Sequence, residues 1–430
     1  FAGVFLRWAV LLFIKGRLRP ACLLVSFMFY VQGMEAFITA VMFLFYLVSG
    51  AGEVSRREAA VCSLLLAVPA LPMAASVFSG GFLGAASSPG DTERWLEILH
   101  VRSWYHLFPF SWGPGDWFNY SGWFIWAFVA FGRGRPLHPV VKRFLAAVAA
   151  MCALSTVFSE LFPVPLVIKL VLWRGSIYFL LFLLLYTADY LSSALENGGS
   201  ARYLAAAAAA AIFLAQYKLI VCFGLLFLAA EFREKKALSL AALYCGAAGL
   251  LLFGAGTVLR TTLPPGGLAS FADLGLPGAA LFGAVFLSVL AFVSSPRHRR
   301  LAGVILAGAG AAAFFSGWTP AGNRPRPVPE WSEVQAWAAA NTPVGSLFVT
   351  PPYLDGFRVG SARATVFEIK DGAAGVYDAR FAFEWWRRAN DFGYTRLGAG
   401  ADMKTEMEKL YNGMDAGRLS ALAGRFSAAF

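Results

Sequence analysis

Charge is scarce in this chain of 430 residues: Asp, Glu, Lys and Arg make up 14%, against 58% hydrophobic and 16% aromatic residues. Soluble domains carry about 25% charged residues. This shortage, with a mean hydropathy of +0.62, excludes an ordinary water-soluble enzyme and identifies a polytopic α-helical membrane protein. Only four histidines occur, and no HExxH. The chain also lacks GxGxxG, GxxxxGK[ST] and nucleophile-elbow patterns, which argues against nucleotide-binding and hydrolase sites of those kinds. Cys22, Cys62, Cys152, Cys222 and Cys245 lie in apolar stretches without CxxC spacing, so they read as small core or lipid-facing residues and not as a disulfide framework. The chain opens on Phe1 and closes on RFSAAF, which reads as the opening of a strand; both ends are expected to be truncations.

What charge there is carries a net +11 and is unevenly spread. The cations collect in short loops at 15–20, 55–58, 132–143, 231–236 and 296–300, between apolar segments. That pattern is a topology signal and not a nucleic-acid surface, and the positive-inside rule places all five loops on the cytoplasmic side. An even number of crossings must then separate each pair. Two segments, 21–49 and 203–230, are too long for one untilted span of ~20 residues, and each has a polar interruption: Gln32 to Glu35 in one, Gln216 to Lys218 in the other. Each reads as a hairpin of two short helices, with a single tilted helix as the alternative. The other expected spans are 1–14, 59–79, 117–132, 144–161, 174–191, 237–258, 278–294 and 301–317, giving about ten to twelve passes. The expected domains are a transmembrane region, 1–317, with an external loop at 80–116, and an external or periplasmic α/β domain, 318–430.

Two external neighbourhoods carry chemistry. In the loop 80–116, Arg102 and His106 sit among Trp104, Phe108, Phe110 and Trp112. An interfacial aromatic belt accounts for the tryptophans; the arginine and histidine suit a phosphate group. Lys169 and Arg174 open an apolar helix without an adjacent acid. A lipid-phosphate contact and snorkelling to the interface are both open for them, as is pairing with Glu35 or Glu160 from other helices.

After the Pro-rich stretch ending at Glu330, residues 331–340 have helical spacing, Gly345–Thr350 and Ala364–Ile369 read as strands, and Asp378–Asn390 and Asp402–Tyr411 as helices. Arg358 and Arg363 follow the first strand and Lys370 and Asp371 the second, a basic edge suited to ligand binding. Ordinary ion pairs with Asp355, Glu368 or Glu384 are the competing reading.

The runs HVRSWYHLFPFSWGPGDW, LWRGS and NTPVGSLFVTPPYLDGFRVGSARATVFEIKDG followed by EWWRR resemble an uncharacterised bacterial family of multi-pass proteins similar to GT-C glycosyltransferases. The resemblance implies a transferase of the bacterial inner membrane, with a polyprenyl-phosphate sugar as donor and an external acidic residue as base or metal ligand. The family's acidic loop would lie upstream of Phe1, so the base is not fixed by resemblance; Asp91, Glu93, Glu97 and Asp116 are the external carboxylates at hand. Arg102, His106, Lys169, Arg174, Arg358 and Arg363 are the expected substrate-binding residues. A divalent metal is one option for the cofactor, although no metal-ligand motif occurs. Expected partners are membrane lipid and the lipid-linked sugar, with no nucleic acid. The rival reading is a non-catalytic integral subunit of an envelope or membrane complex. A transporter is a third, favoured by the interrupted hairpins but without an inverted repeat.

Overall fold

The computed structural model describes residues 2–50, 53–77, 89–196, 199–262, 329–396 and 403–429, with Phe286. The expected spans 278–294 and 301–317 and the basic loop 296–300 lie outside the described residues, Phe286 apart. The described elements are overwhelmingly helical: α1 (Ala2–Ile14), α2 (Leu18–Ser49), α3 (Arg56–Ala67), α4 (Leu71–Val77), α5 (Pro89–Arg102), α6 (Trp104–Leu107), α7 (Pro114–Arg133), α8 (Pro139–Thr156), α9 (Pro165–Lys169), α10 (Ser176–Glu196), α11 (Gly199–Phe213), α12 (Tyr217–Glu231) and α13 (Lys236–Thr262). Then come α14 (Pro329–Asn341), β1 (Leu347–Phe348), α15 (Phe357–Ser361), β2 (Ala364–Thr365), α16 (Ala379–Asp391), α17 (Met403–Asn412) and α18 (Ala416–Arg425). Among the described residues four segments are long and apolar enough to cross a membrane: Leu18–Ser49, Pro139–Leu161, Pro165–Glu196 and Lys236–Phe253. The protein is a helical membrane protein.

Both long segments that sequence length marks as interrupted are broken where their polar residues fall. In α2 the break is at Gln32, whose φ of −149° and ψ of 74° leave the helical region. A straight helix would hold Phe43 about 37 Å from Leu18. Yet Phe13, five residues before Leu18, packs on Phe43 at 4.0 Å and on Tyr46 at 5.3 Å between ring centroids. The chain therefore doubles back at Gln32, and α2 is a hairpin of two limbs. The second break, between α11 and α12, is a Schellman closure: Gln216 N–H reaches Ala211 O, Ala215 N–H reaches Ile212 O, and Ala215 takes φ 46°. Gly16 (φ 74°) closes α1 by the same pair of bonds, from Arg17 to Leu12 and from Gly16 to Phe13.

Contacts divide the chain into two compact units, one of Phe1–Gly113, Pro139–Tyr178 and Pro327–Phe430, the other of Pro114–His138 and Phe179–Arg326. Residues 329–430 thus share a unit with the N-terminal helices. In the first unit α3 runs alongside the first limb of α2: Arg19 pairs with Glu58 at 2.6 Å and Ser26 Oγ donates to Leu66 O at 3.0 Å. Ser55 caps α3 by accepting from Glu58 N. At the same end Arg143 forks onto Glu53 with two 2.7 Å bonds and lies over the Tyr46 ring. The basic stretches at 15–20 and 55–58 and the cation of Arg143 therefore meet at one end of these helices. The Gln32 turn lies at the other, ~22 Å away along the second limb.

The second unit is closed by small residues that admit close approach. A Cβ on Gly122 would stand 2.8 Å from Val221, and one on Gly249 would stand 2.5 Å from Cys222 Sγ. Trp126 Nε1 donates to Ile220 O at 2.9 Å. Arg133 pairs with Glu234 at 2.6 Å and Arg135 with Asp189 at 3.2 Å, so the basic stretches 132–138 and 231–236 come together here.

The strands are two residues each, pairing in parallel as Leu347 with Ala364 and Phe348 with Thr365. β1 lies at the centre of the expected strand Gly345–Thr350, and β2 covers the first two residues of the expected strand Ala364–Ile369. Ala429 N–H donates to Leu347 O at 3.1 Å, while Arg425, expected to open a strand, instead ends α18.

The hairpin makes a topological prediction. In a variant without native cysteines, a cysteine at Gly33 and one at Arg57 should label from opposite membrane faces; labelling from one face would contradict the fold-back at Gln32.

Candidate functional site

Three separate sequence stretches deliver polar groups to the Gln32 end of the hairpin. The first is the second limb of α2, where Met34 stands just past the break. The second is the stretch that carries Arg174. Here α8 passes into a π-turn, Val157–Leu161, followed by Pro163, α9, and then Val171 in the left-handed region at φ 45°. For a β-branched residue this conformation costs about 1–2 kcal/mol. π-turns and strained backbone concentrate at functional sites. Gly175 lets the following turn lie against Met151 and Ile38, where a Cβ would stand 3.4 and 3.7 Å away. Arg174 Nη1 approaches Met34 Sδ at 3.3 Å, and Tyr377 Oη approaches the same sulfur at 3.7 Å.

The third stretch is α5 and α6, with Arg102, Tyr105 and His106. α5 is locked to the C-terminal residues by an apolar core that includes Trp95, Ile98, Leu99, Phe367, Trp385 and Trp386. Trp95 Nε1 donates to Gly375 O at 2.7 Å. Arg102 Nε donates to Ile369 O at 2.8 Å, its Nη2 to Lys370 O at 3.3 Å and its Nη1 to Tyr105 Oη at 3.0 Å. Burial, followed by the positive charges of Arg174 and Arg102, pushes His106 down to about 4, so its imidazole is neutral at neutral pH. Burial raises Tyr377, and the Arg174 charge opposes that rise. Arg102, His106 and Arg174 are thus brought together. Among the described residues neither Arg102 nor Arg174 has an ion pair.

The other expected binding residues are placed elsewhere or committed. Lys169 is buried at 3% exposure, with its Nζ 6.0 Å from the Trp95 ring centroid and the Asp378 charge within reach. Arg358 pairs with Asp371 at 2.5 Å and Glu368 at 3.5 Å, and donates to Thr365 O. Arg363 is buried and spends its five donors on protein oxygens: Nε on Thr342, Nη1 on Ser361 and Ala362, Nη2 on Ala339 and Thr342. It closes the C-terminal end of α14. Glu160 accepts the Phe110 N–H at 2.7 Å, so it does not serve as a partner for Arg174.

Of the expected carboxylates, Glu93 and Glu97 line a depression of about 350 Å³ with Gly90, Arg94, Ile98 and Trp386. They lie about 140–180° around α5 from Arg102, so the helix itself separates them from the cations. Asp91 is in the first turn of α5 and Asp116 in the first turn of α7, in the second unit. No group of three or more His, Cys, Asp or Glu that could hold a metal occurs among the described residues.

Sequence reasoning missed Tyr377 and Met34 as members of the group. Met34 lies within the polar interruption that marked the break, which was a usable signal. Tyr377 had none, because only the tertiary fold brings its turn to Arg174.

A family model described as a domain of unknown function (DUF6798) matches residues 329–392. No curated protein and no solved structure matches the chain. The matched stretch contains α14 through α16, and it supplies Tyr377, the carbonyls that hold Arg102, and the Arg358–Glu368–Asp371 cluster.

Two predictions follow from this geometry. Because the folded-state pKa of His106 is depressed, its contribution is fully present above the unfolded value of about 6.5 and is lost as pH falls towards about 4. His106→Gln should flatten the loss of thermal stability across that window, and an unchanged pH profile would contradict the assignment. Arg363→Ala should destabilise the protein by roughly 3 kcal/mol, and Arg363→Lys should recover little, since three donors cannot replace a five-donor fork; melting in detergent measures both.

Proposed function

We propose that the chain is a GT-C-like membrane glycosyltransferase that uses a polyprenyl-phosphate-linked sugar at the external membrane face. The observation that carries this reading is the group Arg102, His106 and Arg174 at the Gln32 end of the α2 hairpin, with no acidic ion-pair partner for either arginine among the described residues. Cations at that depth are costly unless an anion or water meets them. A lipid-linked phosphate supplies that anion at the interface while its tail stays in the bilayer. Arg174 is the principal phosphate ligand in this reading, because among the described residues its side chain makes no polar contact but the weak one to Met34 sulfur. The neutral His106 imidazole offers an N–H without adding charge.

The same reading places the protein in the bacterial inner membrane with about ten to twelve passes, and residues 318–430 as a periplasmic α/β domain. Support comes from the separation of ends within the first unit. The Arg19–Glu58 and Arg143–Glu53 pairs stand at one end of the α2 limbs, and Met34 with Arg174 and Tyr377 at the other. In this architecture a carboxylate takes the acceptor proton, and polyprenyl phosphate is the leaving group.

Binding tests the reading directly. With full-length protein in nanodiscs, Arg174→Gln should weaken capture of a polyprenyl-phosphate hexose by about 10–100-fold, the loss of one charge-assisted contact of about 1.5–3 kcal/mol. Wild-type protein that neither binds nor transfers such a sugar would favour the non-catalytic membrane subunit.

A further inference from the structure

Glu93 and Glu97 lie on the far side of α5 from Arg102, yet one carboxylate does lie beside the cation group. Glu35 follows Met34 in the first turn of the second α2 limb. Met34 meets Arg174 at 3.3 Å, and Thr39 Oγ1 is hydrogen-bonded to Tyr178 Oη. These two contacts run in step along both elements, so the second limb lies side by side with the start of α10. Glu35 and Thr39 share a helix face, four residues apart, and Arg174 stands in the turn that leads into α10. The face of Glu35 is therefore the one that Thr39 turns towards Tyr178. The Glu35 charge reaches the Tyr178 hydroxyl, as does that of Arg7.

The turn is also well fixed. Thr39 Oγ1 lies 2.7 Å from the Glu35 carbonyl oxygen, and Ala36, Ile38 and Thr39 are fully buried. The Glu35 side chain is half-buried beside Gly3, where a Cβ would stand 3.8 Å from its Oε2. Among the described residues its carboxylate has no hydrogen bond and no ion pair within 4.0 Å. The other acids near this end of the unit are occupied: Glu160 by Phe110 N–H, Glu368 and Asp371 by Arg358, and Asp378 as the cap of α16. Arg7 Nη1 would stand 3.4 Å from that same Gly3 Cβ, so the carboxylate has a cation nearby, and an acidic side chain held within a membrane-spanning segment marks function.

We infer that Glu35 is the general base of the transfer, a role that rests on the glycosyltransferase reading. A Glu35 carboxylate oxygen takes the proton of the acceptor hydroxyl as the acceptor oxygen bonds to the anomeric carbon. The bond from that carbon to the phosphate oxygen breaks, its electron pair leaving with polyprenyl phosphate, whose charge Arg174 meets. Glu35 thus ends protonated and returns the proton to water after product release.

The test compares Glu35→Gln and Glu35→Asp with wild type in nanodiscs, measuring donor binding and turnover separately. Glu35→Gln should lower kcat by about 10²–10⁴-fold and leave donor affinity within about twofold of wild type, whereas Arg174→Gln loses affinity. Wild-type turnover in a folded Glu35→Gln protein overturns the inference alone. So does equal loss of donor binding and turnover, which would make Glu35 a structural residue. If Glu35→Gln does not fold, Glu35→Asp decides: the charge is kept but withdrawn by one methylene, so reduced kcat with intact donor binding supports the role and unchanged kcat overturns it. Absence of transfer by wild type with any lipid-linked sugar overturns the functional reading and the base together.

Discussion

The apolar core that joins α5, the Ile168–Val171 turn and the C-terminal residues is the contact on which the rest of the first unit depends. Trp95, Phe108, Phe367, Phe392 and Tyr394 are each at most 1% exposed within it. Complete burial of one large apolar side chain contributes about 1.5–3 kcal/mol, so these few residues outweigh the polar contacts around them. Arg102 illustrates the order of causes. Its bonds to Ile369 and Lys370 carbonyls exist because Trp95, two turns earlier on α5, is already seated under Gly375.

The same core sets the chemistry. By holding α5 and α6 against residues 369–377, it brings His106 and Tyr377 to the end of the α2 hairpin, where Arg174 arrives on strained backbone. Arg174 cannot reach that position from a regular helix. The π-turn after α8 and the left-handed Val171 redirect the chain on either side of Pro163 and Pro165. The cost of those irregular turns is offset by the packing of Ile168 and Val171 in the core. An electropositive group bounded by aromatic and thioether side chains is the result, at one end of apolar helices whose ion-paired termini lie at the other.

Much of this was legible from residue order alone. The breaks at Gln32 and Gln216 were readable because an apolar segment of about thirty residues exceeds one span and each carries a polar interruption. Asp378–Asn390 was readable as a helix, which Asp378 caps, whereas residues 55–58, read as a loop, begin α3 behind the Ser55 cap. Arg102, His106 and Arg174 stood out because cations are rare in this chain. The fates of Arg358 and Arg363 were not legible as binding or structural. Sequence offered both readings for Arg358, and its actual partners, Asp371 and Glu368, become neighbours only when β1 and β2 pair. Arg363 was opaque for a similar reason: its acceptors are backbone oxygens, which sequence does not display. Loop membership also does not show helix faces: Glu93 and Glu97 share α5 with Arg102 but occupy the far side of the helix.

The most direct measurement is a structure of the full-length protein in nanodiscs with a bound polyprenyl-phosphate sugar or its non-hydrolysable analogue. The account predicts the phosphate within hydrogen-bond distance of Arg174, with Met34, His106 and Tyr377 around it and the sugar on the Glu35 side. A phosphate bound elsewhere, for instance over the Glu93–Trp386 depression, with Arg174 unliganded, would contradict it.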